Sequence, residues 1–447
     1  MEIWKDEKMI INGDCLEELE KIEKNSIDSI ITDPPYELNF MGKGWDNAGV
    51  SFRPDTWQKC YEVLKPGGYL LAFGGSRTFH RIACAIEDAG FEIRDTIMWL
   101  YGSGFPKSMN IGLAIDKKNG IEVKSSYVAN EKNNVYGNKM GGGKTDKSLK
   151  AQNEWQGWGT ALKPSFEPII VARKPFKGSL VDNVIEYGVG GINIDECRVE
   201  YEKTTNPATN PLYRQQNADK YKQVQGGELS NGAVSWTSGK NGVSEMGRFP
   251  ANTILTYDET DFDEVCGGFP QSKGGSGKGF KKDDYVFGET ATSFGRGDFK
   301  PYNDSGSASR YFYCAKASKK DRDEGLDDFE ESTSMCDRNP ELESANMPQN
   351  RSGNLRKNTH PTVKPTSLMQ YLVRLVSPKG STILDPFMGS GSTGKAVEYE
   401  NKERNANYRF IGIEKDAEYC KIAEARIKAA KKYNERIKNE QNSKKIK

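Results

Sequence analysis

Apolar residues in the first hundred positions form short continuous runs that alternate with runs of helical spacing. Runs of strand length cover residues 27–32, 69–73 and 91–100, and residues 54–64 and 77–89 have helical spacing. The positions expected to face inward in the second of these helices are Ile82, Cys84, Ala85 and Ile86. Strands separated by helices at this spacing predict a parallel sheet that is covered on both faces.

The same alternation returns near the C-terminal end, after a long stretch without clear periodicity. Helices and strands are predicted there in turn, at residues 366–376, 381–385, 391–400, 408–414 and 416–432. Between about residue 102 and about residue 357, only residues 165–172 look like a further strand of the sheet. The two ends of the chain are therefore predicted to complete one mostly parallel, doubly wound α/β sheet.

This pattern divides the chain into four predicted segments. Residues 1–175 hold the first half of the sheet and residues 358–432 the second half. Residues 176–357 form a long irregular insertion, of a length that compact domains rarely carry without a functional reason. Residues 433–447 are predicted to be a basic, flexible tail, and the basic segment 428–447 could contact phosphate or could be an exposed, solvated helix end.

Composition narrows the possible classes of protein without choosing one. The 447 residues are 35% apolar, with 64 basic and 63 acidic side chains, so net charge gives no support for nucleic-acid binding. The eight cysteines are scattered without a CxxC pair, which indicates neither a zinc site nor a disulfide framework. With no signal peptide and no apolar run of about 20 residues, we expect a reduced, cytoplasmic protein that contacts no membrane.

The tetrapeptide Asp33-Pro34-Pro35-Tyr36 is the first candidate site, because it follows the predicted strand 27–32 directly. Two prolines remove two backbone donors and leave carbonyl oxygens free to accept hydrogen bonds. Together with the carboxylate of Asp33 and the ring of Tyr36, these acceptors suit an amino group on a flat heterocycle, such as a nucleobase. The alternative is a proline turn with a tyrosine packed beneath it.

A glycine-rich turn after the predicted strand 381–385 is the second candidate site. Gly389, Gly391 and Gly394 have the G-x-G-x-x-G spacing, and an acid, Glu414, ends the next strand about 20 residues later, as in dinucleotide-binding proteins. The same stretch nearly makes a phosphate-binding P-loop with Lys395, but the following residue lacks the hydroxyl that would bind Mg²⁺. A nicotinamide cofactor, another nucleoside ligand and a turn without ligand all remain open from this motif alone.

The two motifs together resemble the DNA amino-methyltransferases that use S-adenosylmethionine. Their catalytic motif DPPY matches residues 33–36, and their cofactor motif DPFxGSGT resembles the stretch from Asp385 to Thr393. The catalytic motif comes first here, which resembles the permuted β class of the family, and residues 157–174, 183–198 and 309–317 resemble phage and prophage members. The resemblance implies a Rossmann-like methyltransferase fold whose irregular insertion is the target-recognition region.

The resemblance also implies roles for individual residues. Asp14 and Cys15 would lie near the cofactor's adenine, Asp385 and Phe387 near its methionine part, and Glu414 at its ribose. The remaining residues expected at the cofactor are Pro386, Gly389, Ser390, Gly391, Ser392 and Thr393. Lys364 resembles a family position near the cofactor or is an ordinary surface lysine, and no metal is expected.

The activity implied is transfer of a methyl group to the exocyclic amino nitrogen of a flipped base in double-stranded DNA, at a specific site. The motif begins with Asp33, which favours adenine N6 over cytosine N4, whereas carbon-5 methylation would need a Pro-Cys nucleophile that is absent. A cognate restriction endonuclease is a candidate partner, and the enzyme would act as a monomer or homodimer. The rivals are an RNA or protein N-methyltransferase, an NAD-dependent oxidoreductase and a non-catalytic DNA-binding relative.

Overall fold

The computed structural model describes ten stretches of the chain, and they fall into two compact units. The described stretches are residues 8–38, 49–101, 108–121, 151–199, 248–256, 271–272, 306–307, 312–314, 319–333 and 355–445. The first unit combines Met1–Gly102 with Phe166–Lys447, and the second is Ser103–Ser165. Trp45, which we expected either to close over a flipped base or to pack within its own loop, lies outside the described residues.

Thirteen strands are found in the described residues, and nine of them form one sheet. The nine strands are β1 (Lys8–Asn12), β2 (Ile27–Thr32), β3 (Leu64–Phe73), β4 (Glu92–Tyr101), β5 (Phe166–Arg173), β6 (Thr253–Thr256), β9 (Tyr313–Cys314), β12 (Thr382–Asp385) and β13 (Arg409–Glu414). The other four form two short antiparallel pairs, β7 (Gln271–Ser272) with β8 (Gly306–Ser307), and β10 (Ser332–Thr333) with β11 (Leu355–Arg356).

The strand order of the main sheet is β1-β13-β12-β2-β3-β5-β4-β6-β9. All neighbours run parallel except β5, which is antiparallel to both β3 and β4. Strands β12 and β13 therefore complete the sheet begun by β2 and β3, as the returning alternation predicts. Strands β6 and β9 come from within the predicted insertion 176–357, so this segment also contributes to the sheet.

Helices of the first unit cover both faces of this sheet. Their bounds are α1 (Cys15–Leu19), α2 (Pro54–Val63), α3 (Phe79–Asp88), α5 (Leu180–Tyr187), α6 (Lys319–Asp323), α7 (Thr366–Val376), α8 (Ser392–Arg404) and α9 (Ala417–Lys445), whereas α4 (Ile111–Lys118) belongs to the second unit. Adjacent residues of β2 show the two layers, because Ile30 packs with α2 and α3 whereas Ile31 packs with α7. The sequence therefore predicted the doubly wound architecture correctly.

Several local expectations differ from the structure. Cys84 is exposed, whereas its helix neighbours Ile82, Ala85 and Ile86 are buried as predicted, because position 84 points away from the sheet. Helix α9 continues to Lys445, so most of the tail predicted to be flexible is helical. Strand β1 and helices α4 and α5 had no clear signal in the sequence pattern.

The second unit contains α4, which is held by its own polar contacts. Asn110 caps this helix and accepts a hydrogen bond of 3.0 Å from the backbone N–H of Leu113. Near the other end of the helix, buried Asp116 accepts hydrogen bonds from the backbone N–H of Gln152, at 2.8 Å, and from Asn153 Nδ2, at 2.6 Å. Local polar contacts therefore hold α4 where apolar periodicity is weak.

Candidate active site

The acidic loop and the glycine turn lie at one edge of the sheet. Strands β2 and β12 are parallel neighbours, so their carboxyl ends meet. Thr32 Oγ1, at the end of β2, donates a hydrogen bond of 2.7 Å to Asp385 Oδ1, at the end of β12. This contact joins positions that are 353 residues apart in the chain.

Asp385 connects the two motifs through both carboxylate oxygens. Besides the bond from Thr32, Oδ2 accepts a bond of 2.6 Å from Thr393 Oγ1, and Oδ1 accepts one of 3.2 Å from the backbone N–H of Phe387. Burial raises the pKa of Asp385 to about 7, against the opposing effect of the hydrogen bonds from Thr393 and Thr32. Its carboxyl group therefore organises the glycine turn from within the protein.

Asp33 lies directly after β2, and its two carboxylate oxygens have different surroundings. Lys364 Nζ donates a hydrogen bond of 2.6 Å to Oδ2. Oδ1 is buried and, among the residues that the structure describes, accepts no hydrogen bond. Because a buried carboxylate oxygen without a partner is costly, Oδ1 is an acceptor available for a group that enters the site.

Lys364 is buried at the centre of this site, with only 6% of its surface exposed, so the interpretation as a surface lysine is wrong. Its ammonium group also lies 3.3 Å from Glu167 Oε2, and it stands over the rings of Phe73 and Trp99 at 4.9 and 6.0 Å from their centroids. Burial opposes the charged form, but the carboxylates of Asp33 and Glu167 outweigh it, and the pKa of Lys364 lies above its ordinary value.

Tyr36 is held by contacts at its backbone and at its hydroxyl. Thr78 Oγ1 donates a hydrogen bond of 2.8 Å to the carbonyl oxygen of Tyr36, and the Tyr36 hydroxyl donates one of 2.8 Å to Glu167 Oε2. Lys364 Nζ donates to the same hydroxyl at 3.2 Å. Burial and the nearby carboxylates of Asp33 and Glu167 raise the pKa of Tyr36 well above its ordinary value, so this hydroxyl is neutral.

Glu167 is a site residue that the sequence analysis missed. It lies near the start of β5, and because β5 is antiparallel, this start lies at the same edge as the carboxyl end of β3. A single acid near the start of an apolar strand is a weak signal, and it becomes informative only when the strand direction is known.

Of the two prolines in the acidic loop, Pro34 is buried and Pro35 is half-buried.

The glycine turn has a left-handed backbone at two positions. Gly389 has a φ of +54° and Gly391 a φ of +76°, a region that residues with a Cβ rarely adopt. A Cβ added at Gly389 would lie 2.8 Å from His360 Nε2, and one at Gly391 would lie 3.0 Å from the Cα of Ala423 in α9. Both glycines are therefore needed for this turn to pack against its neighbours.

The hydroxyl side chains of the turn are buried and bonded to the protein. Arg426 of α9 donates hydrogen bonds to Ser390 Oγ and Ser392 Oγ at 3.0 and 3.4 Å, while Thr393 bonds to Asp385. Pro386 is buried and Phe387 half-buried, the latter near the ring of Trp57. The backbone of the turn and the Phe387 ring are therefore the parts best placed to contact a ligand.

Lys395 has no role as a phosphate-binding lysine in this structure. Its side chain is fully buried and forms ion pairs with Asp321 and with Glu324, the latter at 2.7 Å. Both partners belong to the stretch around α6, so the ammonium group is neutralised by carboxylates within the protein. This geometry excludes the P-loop interpretation.

Asp14, Cys15 and Glu414 meet where β1 and β13 end side by side. Asp14 caps α1 by accepting from the backbone N–H of Leu16 at 2.9 Å, and it also accepts from Lys415 Nζ at 3.0 Å. Glu414 accepts from the backbone N–H of Gly389 at 2.8 Å and has a pKa above its ordinary value because of its burial. Burial also raises the pKa of Cys15 to about 12, so this thiol is neutral.

The described residues contain no further kind of site of two sorts, a metal cluster or a membrane-spanning helix. No group of three or more His, Cys, Asp or Glu side chains there could hold a metal ion. Within those same stretches, no helix combines the length and apolar character needed to span a membrane.

An acidic proline loop beside a glycine turn, at the carboxyl edge of a doubly wound sheet, defines a methyltransferase-type α/β protein. The sequence profile of the family N6_N4_Mtase, described as DNA methylase, matches residues 27–425. This chain belongs to that DNA methylase family.

Curated relatives match over shorter stretches. The type II methyltransferase M.HindIII of Haemophilus influenzae is 27% identical over 227 residues, which is 41% of this chain and 64% of the relative. M.HpaI of Haemophilus parainfluenzae, another type II methyltransferase, is 34% identical over 108 residues, which is 23% of this chain and 34% of the relative. The chain thus spans less than two thirds of the length of either relative.

Solved structures match over most of their length at low identity. The cytosine-N4-specific PvuII DNA methyltransferase is 12% identical, with a TM-score of 0.39 over 97% of this chain and 93% of that one. A DNA modification methylase of Thermus thermophilus, solved with S-adenosyl-L-methionine, is 12% identical with a TM-score of 0.37, over 95% of this chain and 94% of that one.

Proposed function

We propose that this protein is a site-specific DNA methyltransferase that moves the methyl group of S-adenosylmethionine to the exocyclic amino nitrogen of a flipped base. Adenine N6 is the target that we favour. The observation that carries the proposal is the buried oxygen Asp33 Oδ1 beside the glycine turn, which accepts no hydrogen bond from any residue that the structure describes. Membership of the DNA methylase family supports the reaction class.

The residues around the glycine turn fit the proposed cofactor. Gly389 and Gly391 hold the turn in a left-handed backbone beside Glu414, whose carboxylate can accept hydrogen bonds from ribose hydroxyls. Asp14 and Cys15 would flank the adenine, and Phe387 the methionine part. The other contacts would come from Pro386, Ser390, Ser392, Thr393 and Asp385. When bound, the cofactor supplies a methyl group on a sulfonium, which is a good leaving group.

The loop residues would position the reacting amine. Its lone pair is delocalised into the ring, so hydrogen bonds from the NH2 group to Asp33 Oδ1 and to the carbonyl of Pro34 would free it for attack. Pro35 fixes the loop through its ring. The base must leave the duplex at a cost of a few kcal/mol, and stacking on Tyr36 would return about 1–3 kcal/mol.

Cytosine N4 is the second candidate target, since it offers the same NH2 group and the family N6_N4_Mtase is named for both targets. We favour adenine because the catalytic motif begins with Asp33. Double-stranded DNA is the proposed partner, in the cytoplasm, and the type II relatives make a restriction endonuclease a further candidate. Methylation of RNA or protein is the remaining alternative.

The deciding experiment is expression in a host without DNA methylation, followed by genomic sequencing that detects modified bases. N6-methyladenine in one short motif is the expected result, and N4-methylcytosine would change the target base. Asp33→Ala should abolish the modification, while Asp55→Ala, at an exposed acid paired with Arg53, should retain it. An unmodified genome, with purified protein that still binds S-adenosylmethionine, would overturn the DNA substrate.

A further inference from the structure

Three charged groups from distant parts of the chain meet at the acidic loop. Asp33 follows β2, Glu167 begins β5, and Lys364 lies just before α7. Lys364 Nζ lies 2.6 Å from Asp33 Oδ2 and 3.3 Å from Glu167 Oε2, so its ammonium group bridges the two carboxylates. We propose that Lys364 and Glu167 are positioning residues for methyl transfer, which fix the Asp33 carboxylate with Oδ1 free and keep the site charge-balanced when Asp33 takes up a proton. This inference rests on the proposed function.

The environment of Lys364 explains why its charge depends on both carboxylates. The side chain is buried, and the rings of Tyr36, Phe73 and Trp99 surround its ammonium group, with centroids 5.3, 4.9 and 6.0 Å away. Aromatic faces attract a cation, but they do not replace the hydrogen bonds to water that burial removes. The two carboxylates supply the compensating negative charge.

The hydrogen bonds also select which oxygen of Asp33 reacts. Of the two oxygens of Asp33, only Oδ2 accepts a hydrogen bond from Lys364, and this bond orients the carboxylate. Oδ1 is then the acceptor for the substrate NH2 group. Glu167 Oε2 accepts from the Tyr36 hydroxyl at 2.8 Å, so the same bridge positions the ring proposed to stack on the base. Loss of Glu167 would therefore loosen both contacts with the substrate.

The proton balance gives Glu167 a second role. During transfer the N–CH3 bond forms and the S–CH3 bond breaks, with its electron pair remaining on sulfur, and one amine proton passes to Asp33 Oδ1. Two carboxylates and one ammonium carry a net formal charge of −1 beforehand, which favours the positive charge that develops on nitrogen. Once Asp33 is neutral, Lys364 remains paired with Glu167, so no buried cation is left without a partner.

The test compares Glu167→Gln and Lys364→Met with the wild-type enzyme in single-turnover methylation of duplex DNA containing the mapped site. We expect Glu167→Gln to slow the methyl-transfer step about 10–100-fold and Lys364→Met by more, while KM for DNA and the affinity for S-adenosylmethionine change less than about threefold. Lys364→Arg should recover part of the rate, since it restores the charge with different geometry.

A pH profile separates positioning from a merely structural role. Within the described stretches, the groups that face Lys364 are Asp33, Glu167 and the hydroxyl of Tyr36, with Tyr101 behind Glu167 and His360 nearby. In the wild-type enzyme the raised pKa of Lys364 keeps it charged through the alkaline range. In Glu167→Gln one of the two compensating carboxylates is lost, so an alkaline fall in the methyl-transfer rate should appear at lower pH than in the wild type.

The matched control is Glu400→Gln. Glu400, on helix α8, is another buried acid, and it forms an ion pair with Arg374 of helix α7. It should keep the wild-type rate and pH profile. Thermal unfolding curves will show whether Glu167→Gln and Lys364→Met are folded. Wild-type rates in both folded variants would overturn this inference and leave the proposed function intact. Absence of DNA methylation by the wild-type protein would overturn the two together.

Discussion

Thr32 and Asp385 are joined by a hydrogen bond of 2.7 Å, and this bond ties the catalytic strand to the cofactor strand. Asp385 also bonds Thr393 at the start of α8, so a single carboxyl group links β2, β12 and the helix after the glycine turn. It lies almost fully buried, and a buried carboxyl group makes this link sensitive to its protonation state.

The pKa of Asp385 predicts a dependence of stability on pH. Its folded value of about 7 lies above its ordinary value of 3.8, so between these values the native state binds more protons than the unfolded state. The free energy of unfolding contributed by this group therefore falls as pH rises, and the loss is complete above about pH 7. In denaturant titrations, the free energy of unfolding of the wild-type protein should fall by about 2.5 kcal/mol relative to that of Asp385→Asn between about pH 5 and about pH 8. A constant difference would contradict the assignment.

The sequence predicted this edge of the sheet because both motifs follow strands of clear periodicity. Residues 27–32 and 382–385 are short apolar runs, and parallel strands place their carboxyl ends together. The sequence pattern could not reveal the partners of Asp33. Lys364 is 331 residues away in a polar stretch, and the contribution of Glu167 depends on β5 being antiparallel, a property that apolar periodicity does not encode.

Asp33→Ala should remove methyl transfer while the cofactor still binds. The substitution deletes the acceptor for the amine. The cofactor turn keeps its own carboxylate contact, because it is Asp385 that accepts the hydrogen bond from the backbone N–H of Phe387, whereas Asp33 pairs with Lys364. We expect a decrease in single-turnover rate of at least about 10³-fold, with the affinity for S-adenosylmethionine by calorimetry within a few-fold of wild type. Loss of cofactor binding in a folded variant would assign Asp33 to the cofactor site instead.

Gly391→Ala should destabilise the protein through both strain and steric overlap. Its φ of +76° is unfavourable for alanine, and the added Cβ would meet Ala423 Cα at 3.0 Å. We expect a loss of about 2–4 kcal/mol in the free energy of unfolding, together with weaker cofactor binding. The comparison is Gly188→Ala, where φ is +73° but nothing lies within 4 Å, so only strain of about 1–2 kcal/mol is expected. Equal losses in the two variants would show that packing against α9 is unimportant.

The stretch around α6 stabilises the cofactor half of the sheet through Asp321. Its carboxylate pairs with fully buried Lys395 and accepts from the backbone N–H of Thr366 at 2.7 Å, at the start of α7. Asp321→Ala would leave Lys395 with Glu324 as its remaining carboxylate partner among the described residues, and would remove the bond to α7. Because a buried charge that loses a partner is strongly destabilising, we expect a decrease of about 3 kcal/mol in the free energy of unfolding. Asp328→Ala, at an exposed position of the same stretch, should stay within about 0.5 kcal/mol of wild type. Similar stability of Asp321→Ala and wild type would mean that this stretch adds little to the fold that holds the glycine turn.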